Sequence, residues 1–262
     1  MNNLNDANIL QNALVGVKFE FYSNFSAQES ANKIAHLLGK KVHVEDKLHN
    51  TFNVTKDEFK IEQDILGGAK SLELITGPLL YTAARLMIIS VCKWVEENGH
   101  TDDRSSIRLN LSFDINKTEN KYRISKMNTL KFILDFNEEQ VYKFFPSIKD
   151  SATAKSIKFV LPKDDTYFFD GIYINQQNFI YPDSSHYGIN FEKRHKNYLE
   201  FKYIEGNEWE KNVTTILYLI DSFILQIWKS TENTGFTQLN AIELKKIISQ
   251  NQRIIEARRD WK

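Results

Sequence analysis

The stretch Ala13–Tyr22, ALVGVKFEFY, alternates between apolar and other residues from Val15 to Phe21. Val15, Val17, Phe19 and Phe21 project to one side, and Gly16, Lys18 and Glu20 to the other. A period of two belongs to a strand with one buried face and one polar face, and it excludes a helix over the same residues. Three further segments repeat the pattern. Leu72 and Leu74 flank Glu73; Ile107, Leu109 and Leu111 flank Arg108 and Asn110; Leu199, Phe201 and Tyr203 flank Glu200 and Lys202. Residues two apart in a strand stand on one face about 7 Å apart. The four segments together therefore predict a sheet with one apolar and one charged face.

Helical patterns fill the intervals. Ser26-Ala-Gln-Glu29 has the spacing of a capping box and opens a helix to Leu38, which Gly39 ends. Leu79–Asn98, Glu208–Lys229 and Ala241–Arg258 predict three long helices; Glu138–Phe145 and Ser151–Leu161 predict shorter ones, each stopped by a proline. Further strands are expected near Lys41–Glu45, Thr51–Val54 and Phe59–Asp64. Met127–Phe136 fits either helix or strand, and Tyr181–Tyr187 reads as loop. Strands and helices alternate without a βαβ rhythm, which argues against a doubly wound parallel sheet. The expected class is α+β, a mainly antiparallel sheet backed by helices. It forms a single domain over residues 1–262, with 236–262 as a C-terminal helical extension.

Charge and cysteine content narrow the function classes. Lys plus Arg equals Asp plus Glu at 34 each, so no net field attracts a polyanion and nucleic acid is not an expected partner. The basic residues at the C-terminal end, Arg253, Arg258, Arg259 and Lys262, alternate with Glu256 and Asp260 and read as a solvated helix end. Cys92 is the single cysteine, which excludes an intrachain disulfide and a cysteine metal cluster, and fits a reducing, cytoplasmic setting. It lies in an apolar helix and reads as a core residue. The six histidines lack metal-ligand spacing on any one element. The N-terminal stretch has no basic region followed by a long apolar run, so it is not expected to be a signal peptide. Leu86–Val95 and Val213–Trp228 are interrupted by Lys93 and by Asp221 and Gln226, and fall short of the roughly 20 apolar residues that span a bilayer.

The ordered segments GVKFEF (Gly16–Phe21), FKIEQD (Phe59–Asp64), SLELITGPL (Ser71–Leu79), RLNLSFD (Arg108–Asp114) and YLEFKYIEG (Tyr198–Gly206) resemble the motifs of the amidoligase family. That family is a glutamine-synthetase-like branch of the carboxylate–amine ligases. The stretch Leu130–Lys158 is similar to phage-encoded members, and the resemblance runs from about Val15 to Trp228. It implies a glutamine-synthetase-like fold and, in an active member, ATP-dependent amide formation through an acyl phosphate. Carboxylates on several strands would hold Mg²⁺ there, and basic residues would steady the γ-phosphate.

Position by position, the resemblance gives metal-binding places to Glu20, Glu73 and Glu200, an acidic motif place to Asp64, and a cofactor-binding place to Asn110. Three positions depart. Lys18 stands where the first strand's glutamate belongs, Arg108 where a histidine belongs, and Lys202 where an arginine follows Glu200. In an active enzyme Lys18, Arg108 and Lys202 would have to serve as catalytic, phosphate-gripping cations, with Mg²⁺ and ATP as cofactors. In a degenerate one they replace the metal's charge and no cofactor is needed. The departures favour the second: an inherited scaffold with protein partners, self-assembly or virion proteins among them, in a host cytoplasm or a phage particle.

Overall fold

A computed structural model describes residues 3–46, 58–63, 71–113, 124, 127, 129–151, 154–157 and 186–232. Helix α1 (Asn3–Gln11) leads into strand β1 (Ala13–Ser23), which is followed by α2 (Ala27–Leu38), β2 (Lys41–Asp46), β3 (Glu58–Gln63) and β4 (Ser71–Ile75). A two-residue strand β5 (Leu79–Leu80) enters α3 (Tyr81–Asn98), and β6 (Gly99–His100) and β7 (Ser106–Phe113) follow. Then come α4 (Thr129–Asp135), α5 (Glu138–Phe144), β8 (Ile189–Asn190), β9 (Leu199–Glu205) and α6 (Val213–Glu232).

The strands form one sheet in the order β2-β3-β4-β1-β7-β9-β8, with β5 and β6 also on β1. Only β2 and β3 run parallel among the described pairs; the others are antiparallel. The class is therefore α+β, with a mixed, mostly antiparallel sheet backed by helices. Strand β1 is paired along both edges. One edge carries β4 and then β5; the other carries β7 and then β6. At the Gly77-Pro78 kink between β4 and β5, Thr76 continues the pairing: its backbone N–H donates to the Val17 carbonyl, and its hydroxyl accepts from the Val17 N–H at 2.9 Å. A side chain thus replaces a ladder partner where the chain turns away.

The apolar face of β1 behaves as its alternation predicts. Val15, Val17, Phe19 and Phe21 are buried together with Leu72, Leu74, Ile107, Leu109, Leu111, Leu199 and Phe201. Helices α3 and α6 pack against β1 and β7, and α2 against β2 and β3. Phe201 stacks on Phe223 at 4.5 Å between ring centres, and Phe19 meets Trp209 at 5.8 Å. Ser26 caps α2 reciprocally with Glu29, as its spacing predicts, and Gly39 closes that helix with φ at +60°. Cys92 is buried in α3, where burial and then the nearby Glu210 push its thiol up to about 12. No helix among the described residues is long and apolar enough to cross a membrane.

Several expectations need correction. The predicted helix over Ser151–Leu161 does not form in its described part: Lys155 makes a parallel bridge with Tyr187 instead. The ambiguous Met127–Phe136 region contains α4. The long helix expected from Glu208 starts only at Val213, after Glu208 takes a left-handed conformation with φ of 62° and a short 3-10 turn covers Trp209–Lys211. Helix α1 has no predicted counterpart. The strand expected at Thr51–Val54, Asp64, the helix over Ala241–Arg258 and the extension 236–262 lie outside the described residues.

Gly99 ends α3 and is at once paired in β6 with Ser23. Its backbone is extended, so what requires glycine is space: a Cβ there would lie 2.1 Å from the Tyr22 carbonyl oxygen. Gly99→Ala must therefore push β6 off β1, and should lower unfolding free energy by about 1–3 kcal/mol in a denaturant titration.

Candidate functional site

The register of the sheet arranges its charged face in rows. Glu45 is opposite Glu62, Glu62 opposite Glu73, and Glu73 opposite Glu20, so four glutamates form one row across β2, β3, β4 and β1. The next row, two residues along each strand, runs His43, Lys60, Ile75, Lys18 and Arg108. A row of carboxylates thus lies beside a row made mostly of basic groups. Diagonal neighbours of this kind are within reach of long side chains.

The side chains close the gap between the rows. Lys18 Nζ is 2.5 Å from Glu73 Oε1, and Arg108 Nη2 is 3.2 Å from Glu20 Oε1. Lys60 Nζ lies 2.5 Å from Glu62 and 3.4 Å from Glu45. Ser106 completes Glu20 by donating to Oε2 at 2.5 Å. Every carboxylate of the row therefore has a cation from its neighbour. The face is not simply solvated. Lys60, Glu62, Glu73 and Lys202 are buried, and Glu73 is only 3% exposed. A half-open sheet face would leave such charges to water; here they depend on one another.

The compensation is uneven. Burial holds the Glu20 carboxyl above its usual range, although Arg108 and Ser106 pull it down. A single contact at 3.2 Å to a guanidinium does not offset the loss of water around this carboxylate.

A third row carries Gly16, Asn110, Glu200 and Asn190. Asn190 donates its amide to Glu200 Oε2 at 3.3 Å. Burial, and then Glu200, raises the neighbouring Tyr198 hydroxyl. Asn110 Oδ1 is buried with no hydrogen-bond partner among the described residues. A Cβ on Gly16 would lie in van der Waals contact with the Asn110 Cβ, at 3.4 Å.

Of the residues singled out from sequence, Lys18, Glu20, Glu73 and Arg108 come together as two ion pairs in adjacent strands. Glu200 and Lys202 lie one strand further out, on β9. Glu200 stays in register with Asn110, but an irregularity falls at Lys202. Ile107 pairs with Ile204 but Leu109 with Phe201, so Arg108 alone faces Lys202 and Tyr203 together, a β-bulge. Among the described residues no group of three or more His, Cys, Asp and Glu side chains is placed to hold a metal ion. Lys60, Glu62 and Glu45 were not foreseen as members of the face. Lys60 and Glu62 alternate with Phe59 and Ile61, and that period of two was the signal that could have found them.

The chain matches no known protein-family model, and no curated protein matches it.

Two stability outcomes follow from the ion pairs. Lys18→Met leaves Glu73 buried without its nearest cation. It should cost toward the lower end of about 3–5 kcal/mol in chemical denaturation, and adding Glu73→Gln should recover most of that loss. Glu20, raised in the folded protein, binds its proton more tightly there than in the unfolded chain. Its contribution is then present below the ordinary value of 4.5 and is lost as pH rises through the higher folded value. Relative to Glu20→Gln, the native protein should lose stability over that window as pH rises, measured by unfolding at a series of pH values.

Proposed function

We propose that this chain is a catalytically degenerate amidoligase-like protein kept as a structural or interaction module. Its partners on this reading are proteins, other copies or virion proteins included, and a tailed-phage virion or assembly role is its natural setting. The inherited frame would be a glutamine-synthetase-like fold, with which a mostly antiparallel, helix-backed sheet is compatible.

One observation carries the reading. Of the three carboxylates that such an enzyme would turn toward Mg²⁺, Glu20 and Glu73 each hold a cation, supplied by Arg108 and Lys18 from places where ligand-type residues belong, while Glu200 accepts from the Asn190 amide. An ammonium or guanidinium cannot ligate Mg²⁺ and repels it. The donor set therefore does not fit the metal. The charge row extends the same logic beyond the motif positions, since Lys60 closes Glu62 and Glu45 in the same manner. A fixed cation gives the electrostatic balance of a bound metal without the affinity, turnover or phosphate bridging of one.

The second reading, an active ligase using Mg²⁺ and ATP, has one observation in its favour. Asn110 Oδ1 is a buried acceptor that no described group satisfies, and a bound molecule would satisfy it.

Calorimetric titration with Mg²⁺ and ATP separates the two. The native protein should show no binding at roughly millimolar ATP, a level near the upper end of ordinary enzyme affinities. Lys18→Glu/Arg108→His, which returns ligand-type residues, should gain it. Binding by the native protein, with ATP hydrolysis that depends on an amine acceptor, would overturn the degenerate reading.

A further inference from the structure

Helix α3 is apolar on more than its buried side. Ile88, Val91, Cys92 and Val95 face the core. On the outward side Leu86 is 63% exposed and Ile89 42%, and Leu80, which enters the helix, is 44% exposed. Single exposed apolar residues are ordinary, but three this close on one helix and its entry make a patch. Further along, the surface turns acidic. Glu96 and Glu97 are exposed in the last turn, which holds no basic residue. Carboxylates there meet the negative end of the helix dipole. Lys93 stands 3.8 Å from Glu97, an exposed pair of little worth.

The chain comes back to the start of α3 after α6. Leu80 pairs with Leu14 at the beginning of β1, and Gly99, which follows α3, pairs with Ser23 at its end, so α3 runs the same way as β1. Helix α6 runs the opposite way. Trp209, just before it, meets Phe19, and Trp228, near its end, meets Phe113, the partner of Ala13. Asp221 of α6 joins Arg85 of α3 at 2.8 Å, so the two helices lie side by side. After Glu232 the chain therefore leaves α6 at the end of the sheet where α3 begins.

The sequence beyond, which lies outside the described residues, has the matching pattern. Read as a helix over Ala241–Arg258, it carries Leu244, Ile247, Ile248, Ile254 and Ile255 on one face, and Arg258 closes that face. The stretch and α3 are each 18 residues long. Residues 233–240 span about 26 Å when extended, enough to double back from α6. Ile247 and Arg258 are eleven residues apart, as are Leu86 and Glu97. One parallel register thus sets an isoleucine on Leu86 and the arginine by Glu97.

We propose that Ala241–Arg258 of the same chain is the occupant of the α3 surface, with Ile247 and Ile248 on Leu86 and Ile89 and Arg258 beside Glu96 and Glu97. With α6 it completes an αα-hairpin, the usual result of a short connection between helices. A docked stretch closes this surface to any protein that does not displace it. The inference goes beyond the ligase question, and holds whether the charged sheet face is degenerate or active.

Thiol labelling of the full chain tests the contact. The single natural cysteine, Cys92, stays silent, because it is buried and its thiol is pushed up to about 12. A maleimide should react about tenfold or more slowly with Leu86→Cys than with Leu37→Cys, an exposed position on α2. Adding Ile247→Glu or Ile248→Glu should bring the Leu86→Cys rate up to that of Leu37→Cys. On oxidation, Leu86→Cys/Ile247→Cys should form a disulfide within one chain, identified by peptide mapping. Equal labelling of Leu86→Cys and Leu37→Cys in the otherwise native chain would overturn the proposal. Slow labelling that neither glutamate quickens would also overturn it, since something else then covers α3. So would a disulfide formed between two chains, which would make a second copy the occupant.

Discussion

Strand β1 is hydrogen-bonded to other strands along both edges, and the rest of the molecule is arranged around that fact. A strand held on two sides cannot slip, because a shift of one residue would exchange its faces and drive Lys18 and Glu20 into the space of Val17 and Phe19. The pairing also fixes what its neighbours present. With Glu20 opposite Glu73 and Lys18 opposite Arg108, two like-charged pairs face each other directly, an arrangement that is repulsive by itself. It becomes favourable only along the diagonals, where Lys18 reaches Glu73 and Arg108 reaches Glu20. Neither pair of rows would be tolerable without the other.

That interdependence has an energetic consequence. Ion pairs removed from water are poor sources of net stability, because desolvation cancels much of their attraction, yet breaking one by removing a single partner is costly. The charged face therefore adds little to the fold's stability while making it sensitive to substitution of any member. The raised Glu20 carboxyl marks the weakest joint. A face of this kind is hard to explain as a stabilising device. It is easier to explain, on the reading proposed above, as what remains when cations replace ligand residues at a site already built to concentrate carboxylates.

Much of this was legible in the residues. The alternation over Ala13–Tyr22 predicts both faces of β1, and the capping residues Ser26 and Glu29 predict the start of α2, because both signals are local and carried by near neighbours in sequence. The opposition of Lys18 and Arg108 to the glutamates was also anticipated. The exact partners were not, since they depend on register between strands that lie far apart in the chain. Lys60 reaches Glu62 within β3, but it reaches Glu45 only because β2 pairs in parallel with β3, a pairing with no local sign. The bulge that sets Lys202 and Tyr203 against Arg108 is similarly silent. In its described part, the helix expected over Ser151–Leu161 fails where tertiary contacts override local preference: Ser156 and the Ile157 N–H are taken by Glu138 and Lys155 by the chain at 186–188.

Glu138, buried in the first turn of α5, and the charged rows are two solutions to one problem, a carboxylate that has lost its water. On the sheet face the answer is a cation from an adjacent strand position, so each solution stays within the sheet and reinforces a register that the backbone already sets. At Glu138 the answer is a set of neutral donors from α5, β9 and the 154–157 segment. Neutral donors are individually weaker than a cation, so more of them are required, and they must be collected from wherever the chain passes. The same chemistry that satisfies one buried charge thereby ties together elements that the sheet's hydrogen bonds do not join. A cation in place of any one of these donors would satisfy Glu138 more simply and would bind the segments less.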